Sequence, residues 1–116
     1  MTGPPGSPSR RLRRFPRYSL DVRITAQAFR DDGVVSTWGR SFELGGDGIG
    51  ATLATELEAG EVASLEFTIA PDPHPLKVRA IVRYRQGLRH GLEFLALTQE
   101  QRDALQRALT RLAELG

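Results

Sequence analysis

The sequence has 116 residues, of which 40% are hydrophobic, and a formal net charge of +2; this size fits a single domain with a modest core. It has no cysteine, which excludes disulfide bonds and thiolate zinc sites. Its N-terminus lacks the apolar run of a signal peptide, and no run of about 20 apolar residues could cross a bilayer, so we expect a soluble, cytoplasmic protein without membrane insertion.

The net charge hides an asymmetry along the chain. Five arginines precede the first acidic residue, Asp21, and the rest of the chain carries 11 basic against 14 acidic side chains. The five are Arg10, Arg11, Arg13, Arg14 and Arg17. We therefore predict a mildly acidic body with a basic arm over residues 10–17, preceded by a proline-rich, disordered tail over residues 1–9.

Two strands are predicted after the arm. Apolar and polar residues alternate from Leu20 to Ala28, a period of two that is typical of a half-buried strand. A turn follows at residues 31–33, and residues 34–42 are rich in β-branched and aromatic side chains, which favours a second strand. A glycine-rich segment, residues 43–50, comes next and indicates unusual backbone angles or the close approach of another group.

The alternation resumes and predicts a small barrel or sandwich. Four more strands are predicted, over residues 49–53, 65–69, 76–84 and 90–94. Thr98 and Gln101 then match a capping box, and apolar residues at helical spacing predict a helix over residues 98–115. About six antiparallel strands within residues 18–96, followed by one helix, give an all-β fold with a C-terminal α-helix.

No catalytic or metal-binding constellation is visible, so we do not expect an enzyme. The two histidines, His74 and His90, lack the spacing of metal ligands and are expected to be ordinary surface residues. No serine has the flanking glycines of a nucleophile elbow, and the glycine-rich segment lacks the Gly-Lys-Ser/Thr of a phosphate-binding loop. Binding functions are therefore favoured over catalysis.

The arginine arm and the glycine-rich segment are the two features that indicate binding. Arginine presents a planar donor fork that matches phosphate oxygens and the O6/N7 edge of guanine. Arg13 and Arg17 are four residues apart and would point the same way in an extended segment. Together the features suggest a site for a guanine-containing phosphate ligand at the barrel mouth. Each also has a simpler interpretation, namely a solvated basic tail or a strand bulge without a ligand.

The order and spacing of these features resemble the PilZ family. Its members carry Arg-x-x-x-Arg just before the first strand, matched here by Arg13 and Arg17. They carry Asp/Asn-x-Ser-x-x-Gly after the second strand, where this chain has Glu43, Gly45 and Gly48 at the three defined positions. The last two predicted strands and the start of the predicted helix are also similar to the family, so the resemblance extends over nearly the whole chain.

The resemblance implies a PilZ domain over residues 10–116, with a six-stranded antiparallel barrel closed by a helix. It also implies cyclic di-GMP as the ligand and no cofactor. In such domains the arginines grip phosphates and guanine edges, the loop holds the other bases, and the arm folds over the ligand, which can change the surface that a partner protein meets. The implied ligand-binding residues are Arg13, Arg14, Arg17, Glu43, Gly45 and Gly48.

The second motif departs from the family pattern. Glu43 retains a carboxylate that is one methylene longer, whereas Gly45 lacks the serine hydroxyl. A lost hydrogen bond is worth about 0.5–1.5 kcal/mol, which is up to roughly tenfold in affinity. Asp47 adds a negative charge beside a dianionic ligand, which weakens binding unless an arginine neutralises it.

Three functions remain open at this point. The first is a cyclic di-GMP receptor of weakened affinity that acts through an unidentified effector protein, as a monomer or weak dimer. The second is a degenerate PilZ adaptor that binds only protein, which the residues Glu43 and Gly45 favour. The third is a basic arm that binds nucleic acid without specificity, or anionic membrane, and it predicts binding that salt weakens steeply.

Three further side chains receive a prediction. Trp38 and Tyr84 lie in predicted strands; Trp38 is expected to be a packing residue and Tyr84 a buried or barrel-mouth ring, in preference to platforms on which a base stacks. Arg40 lies three residues before Glu43 and is an auxiliary candidate for ligand contact.

Overall fold

The computed structural model describes residues 15–115. Within this range seven strands precede one helix. Their bounds are β1 (Arg17–Ser19), β2 (Arg23–Arg30), β3 (Gly33–Gly45), β4 (Gly48–Leu53), β5 (Val62–Phe67), β6 (Leu76–Gln86), β7 (Arg89–Leu95) and α1 (Gln99–Leu115). The predicted disordered tail and most of the arginine arm, including Arg13 and Arg14, lie outside the described residues.

Six of these strands close into an antiparallel barrel. Hydrogen-bonded neighbours follow the order β3-β2-β5-β6-β7-β4, and β4 pairs with β3 to complete the ring. β1 is an extra short strand that adds to the end of β3 through the pairs Arg17↔Gly45 and Ser19↔Glu43. The predicted six-stranded antiparallel barrel with a C-terminal helix is confirmed, with one additional strand.

The first predicted strand, residues 20–28, begins later in the structure, because residues 20–22 form a gap between β1 and β2. The gap is spanned by Ser41 of β3, whose hydroxyl accepts a hydrogen bond from Val22 N at 3.0 Å and donates one to Leu20 O. β3 has a bulge between Ser41 and Glu43 at this point, and a bulge bends a strand and interrupts its pairing. The Ser41 side chain therefore supplies hydrogen bonds that a continuous ladder would have supplied.

The interior of the barrel is filled by the inward-facing residues of each strand. On β2, Ile24, Ala26 and Ala28 are at most 1% exposed, whereas Thr25 and Gln27 between them are exposed. The same alternation on other strands buries Leu65, Phe67, Val78, Ala80, Val82 and Leu92. Burial of a large aliphatic side chain contributes about 1.5–3 kcal/mol, so the alternation in the sequence is also the main source of stability.

His90 is a core residue, and the expectation that it lies on the surface is wrong. It is 0% exposed on β7. Its Nε2 accepts a hydrogen bond from Leu57 N at 2.9 Å, and its Nδ1 lies 2.7 Å from Leu88 O. These partners require the proton on Nδ1 and leave Nε2 as the acceptor. Burial is tolerated because both ring nitrogens have a partner.

Trp38 and Tyr84 are both exposed on the barrel, so the expectations of a packed Trp38 ring and of a buried Tyr84 ring are wrong. Trp38 is 52% exposed because it points outward on β3 between the inward-facing Thr37 and Gly39. Tyr84 is 49% exposed. A bulge between Val82 and Tyr84 shifts the alternation of β6, and this shift turns the ring out of the core.

The C-terminal helix begins at the predicted capping box. Thr98 N donates to Gln101 Oε1 at 2.7 Å, and Gln101 N donates to Thr98 Oγ1 at 3.1 Å. The Gln101 amide also donates to Lys77 O at 2.6 Å, which ties the first helical turn to β6. Leu105 is buried at 2% exposure and anchors the apolar stripe on the barrel. Among the residues that the structure describes, α1 is the sole helix, and it is too short and too polar to cross a membrane.

Candidate ligand-binding site

The hairpin between β3 and β4 brings several of the predicted site residues together. β3 ends at Gly45 and β4 begins at Gly48, so the second motif forms the tight end of this hairpin. β1 lies alongside and places Arg17 opposite Gly45. The two motifs are 26 residues apart when measured from Arg17 to Glu43, yet they share one outer edge of the barrel.

The Arg17 guanidinium lies between two carboxylates. Its Nη1 donates to Glu43 Oε2 at 3.0 Å, and its Nη2 lies 3.3 Å from Asp47 Oδ1. The side chains of Arg17, Glu43 and Asp47 are 19%, 25% and 34% exposed, so the cluster is half-buried. The contact with Asp47 is an ion pair without hydrogen-bond alignment, and both Asp47 Oδ1 and Arg17 Nε are buried without a hydrogen-bond partner.

This cluster carries one positive and two negative charges. The arginine is therefore neutralised within the chain, and the hairpin retains an excess negative charge. An incoming anion would have to displace carboxylates from Arg17 before it could bind the guanidinium. The two unsatisfied buried atoms indicate that the present arrangement leaves hydrogen-bonding capacity unused.

Gly45 makes room for the Arg17 side chain. A Cβ at position 45 would lie 2.6 Å from Arg17 Cδ and 2.8 Å from Arg17 Nε, closer than side-chain atoms approach one another. The position at which the family carries serine is thus covered by the arginine stem. The absence of a side chain at Gly45 and the conformation of Arg17 are therefore coupled.

Phe15 covers the hairpin on the other side. A Cβ at Gly46 would lie 2.9 Å from Phe15 Cδ1, so the ring rests on the glycine backbone. Phe15 also lines a groove of about 600 Å³ between β1 and α1, together with Tyr18, Leu97 and Leu109. Phe15, an aromatic residue within the arginine arm, was the sequence signal for this contact, which was not predicted.

Gly48 has a packing role. A Cβ at this position would lie 2.3 Å from Leu92 O, so β4 can approach β7 only without a side chain there. The neighbouring Asp47 O accepts a hydrogen bond from Phe94 N at 2.9 Å, which fixes the hairpin on β7. Gly48 is buried and therefore shapes the hairpin from within.

Arg40 lies on the outer face of β3, outside the Arg17 cluster. Its Nε donates to Asp21 Oδ1 at 2.6 Å and its Nη2 donates to Asp21 O at 3.1 Å. The side chain is 58% exposed. The bulge after Ser41 separates Arg40 from Glu43 along the strand.

Metal chemistry finds no support in the described part of the chain. Residues 15–115 contain no cluster of three histidine or carboxylate side chains with the geometry of a metal site. The chemistry available at the β3–β4 hairpin is that of one guanidinium and two carboxylates. Such groups recognise ligands by charge and hydrogen bonding. The fold and this cluster together are therefore those of a small β-barrel binding module.

The comparisons with known proteins name this class. A model of the PilZ domain family matches residues 11–111, and the chain belongs to that family. PilZ domains are regulatory and binding modules, and members typically bind cyclic di-GMP. No curated protein sequence matches the chain.

Solved structures share the fold at low sequence identity. The PilZ domain of YcgR from Escherichia coli with c-di-GMP is 22% identical with a TM-score of 0.69, and the match covers 89% of this chain and 92% of that one. The PilZ domain of CeSA from a cellulose-synthesizing bacterium is 14% identical with a TM-score of 0.66, covering 86% and 97%. The Bacillus subtilis inhibitor of motility, MotI/DgrA, is 17% identical with a TM-score of 0.65, covering 89% and 52%.

Proposed function

We propose that this chain is a cyclic di-GMP receptor of lowered affinity, a non-catalytic cytoplasmic module that passes the signal to an effector protein. The observation that carries the proposal is the position of Arg17, which lies at the β3–β4 hairpin within contact of Glu43 and directly on Gly45. Membership of the PilZ family supports the choice of ligand.

The chemistry of the hairpin suits a cyclic dinucleotide of guanine. The Arg17 guanidinium can donate two parallel hydrogen bonds to a phosphate or to the O6/N7 edge of guanine. The Glu43 carboxylate can accept hydrogen bonds from the N1–H and N2–H groups of a guanine base. Arg13 and Arg14 are assigned to the same ligand from the sequence pattern, and Arg40 is an auxiliary contact.

Binding exchanges carboxylates for phosphates on Arg17. An ion pair near the surface contributes about 0–1 kcal/mol, and the exposures of 19–34% in this cluster place it near that range. A hydrogen bond to a charged group contributes about 1.5–3 kcal/mol. Arg17 already donates a hydrogen bond of this class to Glu43, so the exchange gains less than binding to a site whose arginine is unpaired.

The glycine at position 45 lowers the affinity further. It offers no hydroxyl to the ligand, a loss of about 0.5–1.5 kcal/mol or up to roughly tenfold. Asp47 adds repulsion against the two phosphates. We expect the site to respond only to high ligand concentrations. We expect the protein to be a monomer or a weak dimer.

Isothermal titration with cyclic di-GMP tests the proposal. The full-length chain should release or absorb heat that saturates, and Arg17→Ala should lose at least tenfold in affinity because it removes two charge-assisted hydrogen bonds. Arg30→Ala is the matched control, since Arg30 is also paired with a glutamate, Glu61, but lies at the opposite end of β3 from Arg17. No heat from a wild-type protein with a folded barrel by circular dichroism would contradict the proposal.

A second function, an adaptor that binds only protein, has its own support. Arg17 is already neutralised by Glu43 and Asp47, and Gly45 is covered by the arginine stem. Both features reduce what the hairpin offers to an anionic ligand. A silent titration from a folded wild-type protein would favour this adaptor. Binding to unrelated DNA or to anionic vesicles that falls steeply with salt would favour the basic arm as the functional element.

A further inference from the structure

The outer face of the barrel around Trp38 combines an exposed aromatic ring with polar and charged side chains. Trp38 on β3 is opposite Thr25 on β2, Thr25 is opposite Glu66 on β5, and Glu66 is opposite Lys77 on β6. These four side chains therefore form one row across four strands. We call the surface on and around this row the Trp38 face.

The Trp38 face is concave and polar around its aromatic ring. A shallow cavity of about 590 Å³ lies over the row and is also lined by Arg23, Gln27, Ser36 and Ser64. Backbone hydrogen bonds are already made within the sheet, so only side chains are available to a ligand there. Hydroxyl, amide and charged groups surround Trp38 and can act as donors or acceptors.

Trp38 is held in place although it is exposed. Arg23 Cζ lies 5.1 Å from the centre of the indole ring, a cation–π contact between neighbouring strands. Such a contact restricts the ring before any partner binds, which lowers the entropy lost on binding. Tryptophan and arginine are also the residues that contribute most often to binding energy at protein interfaces.

Two more exposed apolar side chains lie towards the tip of the β2–β3 hairpin. Phe29 and Val34 are a cross-strand pair on the same outer face as Trp38. They are 50% and 56% exposed. The polar pair Gln27 and Ser36 separates them from Trp38, so they are separate apolar anchors on a polar face.

The Trp38 face carries three cations, Arg23, Lys77 and Arg79, against one carboxylate, Glu66, which is opposite Lys77, so its net charge is positive on an acidic body. No carboxylate of residues 15–115 lies within 4.0 Å of the charged groups of Arg23, Lys77 or Arg79, the last of which extends the face on β6. Residues 15–115 carry 12 basic against 14 acidic side chains, a net charge of −2. The unpaired cations around Trp38 therefore stand out against the charge of the rest of the barrel.

From this arrangement we propose that the Trp38 face docks an acidic segment of a partner protein. An apolar side chain of that segment packs on Trp38, and its carboxylates bind Arg23, Lys77 and Arg79. Four strands at about 4.8 Å spacing and six residues at about 3.3 Å give roughly 400 Å² on this side, which corresponds to a weak, transient interface. A transient interface is what a regulatory module requires.

The Trp38 face does not depend on the proposed nucleotide site. Trp38 lies seven residues before Gly45, roughly 23 Å along β3, and Arg17 and Glu43 contribute nothing to the face. The test is therefore made without nucleotide. Failure of the docking proposal would leave the receptor proposal untouched, and the reverse also holds.

Selection of short random peptides displayed on phage against the full-length protein provides the probe. Synthetic copies of the enriched peptides are then measured by fluorescence anisotropy. We expect peptides in which aspartate or glutamate flanks an apolar residue. Their affinity should fall about tenfold with Trp38→Ser, the effect of losing one interface residue of this class. Lys77→Glu should weaken it severalfold.

Two variants elsewhere on the barrel are the matched controls. Tyr84→Ser removes an aromatic ring of similar exposure, 49%, and Arg107→Glu reverses an exposed charge on α1. Both should bind the peptides as the wild type does. The proposal is overturned if no peptide is enriched, if the enriched peptides lack carboxylates, or if binding survives both Trp38→Ser and Lys77→Glu. Equal displacement by duplex DNA, independent of Trp38, would also overturn it.

Discussion

The side chain of Arg17 lies where a side chain at Gly45 would have to stand, since a Cβ at position 45 would come within 2.6 Å of Arg17 Cδ. Arg17 of the first motif and Gly45, where the second motif departs from the family pattern, therefore depend on each other. The glycine permits the arginine to turn towards Glu43 and Asp47. The predictions for this hairpin follow from that coupling.

Gly45→Ser should raise the affinity for cyclic di-GMP several-fold. The new Cβ displaces the Arg17 side chain from its carboxylates, and the hydroxyl supplies a hydrogen bond worth about 0.5–1.5 kcal/mol. Gly45→Ala is the matched control, because it displaces Arg17 in the same way but offers no hydroxyl. Titration calorimetry of both variants separates the two effects. A fall in affinity with Gly45→Ser would show that the present position of Arg17 is the binding position.

Asp47→Asn should also tighten nucleotide binding. It removes one of the two carboxylates that neutralise Arg17 and lowers the repulsion of the phosphates, which across about 4–8 Å of water is worth about 0.5–1 kcal/mol. The gain should be larger at low salt than at high salt because the interaction is screened. Titrations at two salt concentrations measure this difference. An unchanged affinity at both would indicate that Asp47 does not act on the ligand.

Gly48→Ala should destabilise the barrel. The added methyl group would meet Leu92 O, a backbone atom, at 2.3 Å, and overpacking of this kind costs about 1–3 kcal/mol. At about 4 °C per kcal/mol for a domain of this size, the melting temperature should fall by about 4–12 °C. Gly46→Ala is the control, since its methyl group meets only the movable ring of Phe15. Equal melting temperatures for the two variants would contradict the assigned role of Gly48.

His90→Leu should destabilise the fold through an unsatisfied backbone group. The substitution leaves Leu57 N–H buried without its acceptor, Nε2 of His90, which costs about 1–3 kcal/mol. Urea unfolding of His90→Leu measures the loss. His74→Leu, at an exposed histidine, should have little effect by comparison. A His90→Leu variant as stable as the wild type would show that the ring is not needed as an acceptor.

The Arg30–Glu61 ion pair should make part of the stability depend on pH. The hydrogen bond from Arg30 lowers the pKa of the Glu61 carboxyl below its usual value. The folded state therefore binds fewer protons than the unfolded state around that pKa. The stabilisation is present above the unfolded value, about 4.3, and is lost as the pH falls through the lower folded value.

Glu61→Gln tests this dependence. The difference in unfolding free energy between the wild type and Glu61→Gln should be largest near neutral pH and should shrink as the pH falls below about 4.3. Glu114→Gln, at an exposed position on α1, is the control. A difference that stays constant with pH would contradict the assigned ion pair. Urea titrations at several pH values provide the measurement.

The strands and the helix were predictable because local patterns determine them. The alternation on β2 and the capping box of Thr98 and Gln101 both rest on residues within a few positions of one another. Bulges do not follow from such patterns. The shift between Val82 and Tyr84 turned a predicted core residue outward, because one extra residue in a strand reverses every later side chain.

The site was predictable only in part. The resemblance to the PilZ motifs assigned Arg17, Glu43 and Gly45 to one site, and the structure brings these three residues together. The sequence did not indicate that Arg17 would be paired with both Glu43 and Asp47, because that pairing depends on the register between β1 and β3. Buried His90 was missed for a similar reason, since its partner Leu57 is 33 residues away.

Amide spectra of the ¹⁵N-labelled protein during titration with cyclic di-GMP test the receptor proposal most directly. We expect saturable shifts at Arg17 and across residues 43–48, with little change at Trp38, because the nucleotide displaces the carboxylates of Glu43 and Asp47 from Arg17. An unchanged spectrum at saturating nucleotide, or shifts confined to other parts of the barrel, would contradict a nucleotide site at the β3–β4 hairpin.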